Sequence, residues 1–142
     1  MVRRSRHLLV LALAALAVVA AATPATARAD DGNDVRVTRS CTAGSAVRLR
    51  VRERNSNVLR VEVGLRAASR GTAWIVTIVH ERRVVLRTTR RSGAGSRSVS
   101  VRIEIPDWPG RDTVTVRALG PRGELCRAVV TFADQVDDQD RG

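Results

Sequence analysis

The chain contains no lysine and no tyrosine, and its only aromatic residues are Trp74, Trp108 and Phe132. So few rings argue against sugar binding and nucleic-acid binding by stacking, because single-strand binders in particular depend on aromatic platforms. Two cysteines are too few for an iron–sulfur cluster, a zinc-finger array or a disulfide-dense scaffold. A length of 142 residues allows one domain and excludes a multidomain enzyme.

The N-terminus has the pattern of an export signal. Basic residues at positions 3, 4 and 6 precede an apolar run over residues 8–22, which is shorter than the roughly 20 residues of a membrane-spanning helix. Small residues mark two alternative cleavage positions, after Ala27 and after Ala29. We expect residues 1–29 to be a signal peptide and the mature protein to be secreted and extracellular, either free or associated with the cell wall. A retained N-terminal anchor is the alternative.

All 25 basic residues are arginines, and with 14 acidic residues they give a net charge of +11. Removal of residues 1–29 takes away four arginines, but the acidic residues that remain are concentrated at the two ends. The pattern predicts a flexible N-terminal segment over 30–34, a basic domain over 35–133 and an acidic disordered tail over 134–142. An arginine-only composition is also what a GC-rich genome produces, without any functional demand.

The two cysteines, Cys41 and Cys126, both lie in the expected mature chain. Outside the cytoplasm an even pair of cysteines indicates a disulfide, and two cysteines allow one connectivity. We therefore predict a Cys41–Cys126 bond that ties the start of the domain to its end. No metal site and no cofactor are expected, because nothing near the cysteines in the sequence would complete a metal shell.

Apolar and polar residues alternate through most of the domain, which is typical of half-buried β-strands. In Val47–Arg54 and again in Leu59–Arg66 every second residue is apolar, and the turn between them is Asn55-Ser56-Asn57. Trp74–Val79 is nearly continuous in apolar residues, as a central strand would be. About seven or eight such strands, with no segment of helical period, predict an all-β sandwich of antiparallel strands.

Two segments resemble immunoglobulin-like domains. Gly110–Ala118 and Gly123–Ala128, separated by a tight turn, resemble their F–G hairpin, and Ala73–Ile78 resembles their C strand with its core tryptophan. The resemblance implies an immunoglobulin-like β-sandwich. Val116 and Ala118 stand where antibody domains have tyrosine and cysteine, so the tyrosine corner of that family is absent.

The layout also resembles small uncharacterised secreted actinobacterial proteins with one disulfide. These proteins pair an early Cys-Thr-x-Gly-Ser motif, here Cys41–Ser45, with a late Gly-Glu-x-Cys motif, here Gly123–Cys126. The resemblance extends from Cys41 to Val130 and implies an exported protein of unassigned activity.

The sequence offers no set of residues for catalysis, so we expect that the protein is not an enzyme. His80, at a strand end, is the one histidine of the expected mature chain, and its neighbour Glu81 should point to the other side of the sheet. Both cysteines are committed to the disulfide. Glu104, Asp107 and Asp112 are expected to form ordinary ion pairs with nearby arginines such as Arg111. The alternatives are a carboxylate pair of Glu104 with Asp107 or Asp112, and a calcium site at Asp107 and Asp112.

Arginines are the candidate binding residues, because guanidinium groups bind phosphate and carboxylate through paired hydrogen bonds. The first group lies on one face of a single strand: Arg48, Arg50, Arg52 and Arg54. The second group surrounds the hairpin turn predicted at Glu81-Arg82-Arg83 and the Gly-rich loop that follows: Arg82, Arg83, Arg87, Arg90, Arg91 and Arg97. The alternative interpretation of both groups is an ordinary solvated sheet face.

Together these features favour a secreted, non-catalytic interaction module that binds a protein or an anionic polymer at the cell surface. A small exported protease inhibitor, which would use a loop such as Ser92–Ser96 or Pro106–Gly110, is one alternative. A structural component of the cell envelope is another.

Overall fold

The computed structural model describes residues 28–30 and 34–133. The expected signal peptide up to Ala27 and the expected acidic tail over 134–142 lie outside the described residues. Within the described part, no helix is long and apolar enough to cross a membrane.

The described residues form nine β-strands and one short 3-10 helix, Pro121–Gly123. The strands are β1 Arg28–Asp30, β2 Asp34–Ser40, β3 Ala46–Asn55, β4 Val58–Arg66, β5 Ala73–His80, β6 Arg83–Arg91, β7 Ser98–Pro106, β8 Arg111–Leu119 and β9 Leu125–Ala133. Every ladder between them is antiparallel. The prediction of an all-β, antiparallel domain is therefore confirmed.

Two sheets pack face to face. The first sheet has the order β1-β2-β3-β4-β7, and the second has the order β6-β5-β8-β9. Alternate residues of both sheets point inward, so that the apolar positions of the sequence pattern, such as Val47, Leu49 and Val51 of β3, are buried in one shared core. The fold is a β-sandwich, as the alternation predicted.

The second sheet contains the segments that resemble an immunoglobulin-like domain. β5 contains the core residue Trp74 and pairs with β8, and β8 pairs with β9 through the predicted hairpin. Trp74 is buried, and Gly120 lies over its ring so closely that a Cβ there would be 2.4 Å from a ring carbon. A side chain at position 120 would therefore displace the tryptophan.

A two-residue turn joins β5 to β6, where the sequence predicted a hairpin. Glu81 and Arg82 both have positive φ, 46° and 69°, as the central residues of a type I′ turn require. Neither is the asparagine or glycine that such turns favour. The side chain of Glu81 compensates by accepting a hydrogen bond from the backbone N–H of Thr113 on β8.

The predicted disulfide joins the two sheets. Cys41 follows β2 and is bonded to Cys126 on β9, so the cross-link connects the first sheet to the second. The Cys41–Ser45 and Gly123–Cys126 motifs meet around it. Ser45 donates its backbone N–H to Glu124 Oε1 at 2.9 Å, and Thr42 exchanges two hydrogen bonds with Leu125. Both motifs thus have a structural role.

The first sheet begins earlier than the sequence pattern indicated. Asp30 and Asp34 lie in β1 and β2, although the sequence placed a flexible segment over 30–34. An ion pair holds Asp34 in the strand, because its carboxylate accepts hydrogen bonds from Nε of Arg50 at 2.9 and 3.0 Å. Cleavage after Ala27 would keep β1 whole, whereas cleavage after Ala29 would leave one of its residues.

Candidate anion-binding site

The outer face of the first sheet has two halves of different chemistry. Strand register places side chains in rows that cross β2, β3, β4 and β7. Two rows form the charged half: Asp34, Arg52, Arg60, Glu104 and then Arg36, Arg50, Glu62, Arg102. The next two rows form the other half: Thr38, Arg48, Gly64, Ser100 and then Ser40, Ala46, Arg66, Ser98. The second half contains no acidic residue.

The charged half is an ion-pair network. Glu62 lies between three arginines, with its oxygens 3.2 Å from Arg102, 3.4 Å from Arg52 and 3.7 Å from Arg50. Glu104 pairs with Arg54 and, at 3.0 Å, with Arg60. Arginines that would repel one another across the strands are therefore bridged by carboxylates. The expected ion pairing of Glu104 is confirmed.

The network separates the four arginines that the sequence grouped on β3. Arg50, Arg52 and Arg54 all have carboxylate partners within the protein. Within the described part of the chain, Arg48 is the member of this group with no ion pair. The carboxylate Asp34 illustrates the effect of the network, since its hydrogen bond from Arg50 lowers the pKa of this carboxyl group below its usual value.

The acid-free half contains a groove with a volume of about 780 Å³. Small or hydroxyl-bearing residues line it and leave the space open: Thr38, Ala46, Gly64, Ser98 and Ser100. Four arginines also line it: Arg48, Arg66, Arg70 and Arg97. No ion pair holds any of these four within residues 28–30 and 34–133. The groove is thus lined by cations and hydroxyl donors, which suits an anionic ligand.

Gly64 is central to the difference between the halves. It lies directly opposite Arg48, in the position that Glu62 occupies opposite Arg50. A Cβ at Gly64 would be 3.6 Å from Nη2 of Arg48, so the guanidinium group lies over the glycine. The missing side chain both opens the groove and leaves Arg48 without a carboxylate.

Sequence reasoning named Arg48 and Arg97 in separate groups, but it missed the other two arginines of the groove. Arg66 and Arg70 were not among the candidates, because each stands apart from the arginine-rich segments. The signal available in the sequence was the alternation of apolar and polar residues. The alternation pattern could have placed Arg66 on the same outer face as Arg48, but not beside Ser98 of a strand more than 30 residues away.

Apart from Arg97, which lines the groove, the second predicted arginine group lies on or next to β6, an edge strand of the second sheet. Its members do not form one cluster. Arg83 lies 6.0 Å from the ring centre of Trp108, Arg91 donates a hydrogen bond to the carbonyl of Gly71 at 2.6 Å, and Arg87 lies on the outer face. Arg82 is in the turn, and Arg90 lies opposite Trp74. Charged residues along an edge strand oppose pairing with another sheet, which is one structural role for this group.

His80 and Asp112 form a buried pair that the sequence did not predict. Their side chains are 0% and 1% exposed, and Nε2 of His80 lies 2.5 Å from Oδ1 of Asp112. Trp108 stacks on His80 with ring centres 4.4 Å apart, and its backbone N–H donates to Asp112 Oδ2 at 3.2 Å. The pair fixes the Pro106–Gly110 loop on the end of the sandwich. The expectation that Asp112 pairs with an arginine was wrong, because the carboxylate turns into the core.

Within the part of the chain that the structure describes, no group of three or more histidine, cysteine or acidic residues is placed to hold a metal ion. Comparison of the chain with protein-family models, with curated proteins and with solved structures gives no match.

Proposed function

We propose that this protein is an exported, non-catalytic interaction module with an immunoglobulin-like sandwich, and that it binds an anionic polymer at the outside of the cell. The groove of the first sheet carries this proposal. Its four arginines form no ion pair within the described residues, whereas five arginines of the neighbouring half are paired with Asp34, Glu62 or Glu104.

The binding mode follows from the chemistry of the groove. Arginine forms bidentate hydrogen bonds with phosphate or carboxylate, and the hydroxyl groups of Ser98 and Ser100 add single donors. The groove is open and crosses several strands, so an extended polymer fits it better than an enclosed small molecule does. Binding should therefore depend strongly on salt, because each contact releases counterions.

Two observations favour this function over catalysis and over inhibition by a loop. The one His–Asp pair of the described residues is fully buried and is out of reach of a substrate. The loop Pro106–Gly110 is held against His80 by the ring of Trp108, and Ser92, in the other candidate loop, is buried and accepts a hydrogen bond from the N–H of Thr72 at 2.9 Å.

The experiment uses the chain from Arg28 to Gly142, which keeps β1, and long-chain polyphosphate as the probe. The affinity is measured by fluorescence anisotropy over a series of salt concentrations. The double substitution Arg48→Gln with Arg66→Gln should weaken binding and reduce the slope of log K against log salt by about two, one for each lost contact.

The matched control is Arg52→Gln with Arg54→Gln, which removes the same charge from the ion-pair network. These residues are engaged by Glu62 and Glu104, so we expect a smaller loss of affinity than in the groove variant. Equal losses in the two variants would show that only net charge matters, and absence of salt-sensitive binding in the unmodified chain would refute the proposal.

A further inference from the structure

On the outer face of the second sheet, arginines and apolar residues lie in separate rows. Strand register places Arg87, Thr77, Arg117 and Arg127 in one row across β6, β5, β8 and β9. One neighbouring row contains Thr89 and the apolar residues Ile75, Leu119 and Leu125. The row on the other side contains Thr115 and the apolar residues Val84, Val79 and Val129. The row with three arginines therefore runs between two rows that are apolar at three of four positions.

This arginine row lacks the compensation found on the first sheet. Arg117 and Arg127 lie directly opposite each other, an arrangement that costs stability for like charges. The four strands of the second sheet contain one acidic residue, Asp112, and it points into the core. No described residue forms an ion pair with Arg87, Arg117 or Arg127. The unfavourable pair is thus left for something outside the described residues to neutralise.

The apolar rows add a feature that the groove does not have. Val84 is 62% exposed and Leu119 is 45% exposed within the described fold. Exposed apolar side chains beside arginine are typical of protein interfaces, where arginine is enriched and an apolar centre excludes water. An anionic polymer without apolar groups would leave both rows uncovered.

The positive charge of the arginine row indicates what kind of partner this face can bind. A second copy of this sheet laid face to face would bring its own arginine row against this one, and the like charges would repel. We infer that the outer face of the second sheet binds an acidic amphipathic helix of another protein, whose carboxylates neutralise the arginine row while flanking apolar side chains cover the two apolar rows. This surface is distinct from the groove on the opposite sheet, and it does not depend on the groove for its function.

The register fixes the spacing that such a helix needs. Neighbouring strands are about 4.8 Å apart, so Arg87 and Arg117 are separated by about 10 Å and Arg117 and Arg127 by about 5 Å. On a helix with a rise of 1.5 Å per residue, glutamates at i, i+7 and i+11 lie on one face at spacings of about 10 and 6 Å. Leucines on both sides of this line would meet the apolar rows.

The test uses a synthetic helical peptide of about 18 residues with this glutamate and leucine pattern. A control peptide has the same composition, with the glutamates moved to the opposite face. Binding to the chain from Arg28 to Gly142 is measured by isothermal titration calorimetry. We expect the patterned peptide to bind at least about tenfold more tightly than the control, because only it satisfies the charged and apolar rows together.

The variant Arg117→Thr with Arg127→Thr should lose that preference, and threonine is compatible with the fold because Thr113 and Thr115 already occupy this face. Its thermal unfolding is measured first, and the single variant Arg127→Thr replaces it if folding is impaired. Gly64→Glu, which alters the groove, should leave peptide binding unchanged. Equal binding of the two peptides, or equal loss in both variants, would overturn the inference. Polyphosphate binding by the threonine variant reports on the groove separately.

Discussion

Arg48 lies directly opposite Gly64 across the β3–β4 ladder, and its guanidinium group rests over the glycine. Two residues along the same strands, Arg50 lies opposite Glu62 in the middle of an ion-pair network. The two cross-strand pairs differ in one carboxylate, and this difference separates an ion-paired surface from a groove whose arginines form no ion pair within the described residues.

Gly64→Glu should convert the groove into a continuation of the ion-pair network. A glutamate at position 64 would stand opposite Arg48 as Glu62 stands opposite Arg50, so it would pair with Arg48 and fill part of the groove. We expect at least about a tenfold loss of polyphosphate affinity at low salt with little change in thermal stability. Gly64→Gln is the uncharged control and should lose less. Equal losses would indicate that filling, not charge, is responsible.

Deletion of residues 134–142 should strengthen salt-sensitive binding to polyphosphate. The segment contains four aspartates, and its removal raises the net positive charge of the chain. The measurement compares affinities of the full and shortened chains at low and high salt, where the difference should shrink as salt screens the charges. Unchanged affinity at low salt would contradict the prediction.

Asp112→Ala should destabilise the domain by about 2–3 kcal/mol, because it leaves buried polar groups without partners. The substitution removes the acceptor for Nε2 of His80 and the acceptor for the backbone N–H of Trp108. Urea unfolding at neutral pH gives the free energy of unfolding. Asp112→Asn keeps one oxygen acceptor and should lose less, and a variant as stable as the unmodified chain would exclude a structural role for the pair.

Asp34 should contribute a pH-dependent stability. The hydrogen bond from Arg50 lowers its pKa in the folded protein, so its contribution is present above the usual pKa of 3.8 and is lost as the pH falls through the lowered value. Asp34→Asn should therefore reduce the free energy of unfolding at pH 7 by up to about 1 kcal/mol, the range for partly exposed pairs. The difference between the two proteins should disappear at strongly acidic pH. A difference that persists there would show that the charge is not its origin.

Loss of the disulfide should have the largest effect on stability. Cys41 and Cys126 are 85 residues apart, and the entropy of closing such a loop predicts a loss of roughly 4 kcal/mol for Cys41→Ser with Cys126→Ser. The double variant avoids a free thiol. Unfolding by guanidinium chloride, with and without a reductant, measures the loss, and the reductant should affect only the unmodified chain.

Local pattern was sufficient to predict the strands and the burial of their residues. Alternation in segments such as Val47–Arg54 specifies which side chains are buried, because successive residues of a strand point to opposite faces. The disulfide was also predictable, since two cysteines allow one bond. The sequence also predicted a hairpin at Glu81 and Arg82, although this type I′ turn lacks the asparagine or glycine that such turns favour.

The sites depended on relations between distant strands. The sequence alone determined that Arg48, Arg50, Arg52 and Arg54 share a face, but only the tertiary structure decided which of them meet carboxylates. In the same way, His80 and Asp112 are 32 residues apart and meet because β5 pairs with β8. Alternation is a local property of the backbone, whereas register is set by how the two sheets bury their apolar faces together. Register therefore decided which arginines form ion pairs within the described fold and which remain available for a ligand.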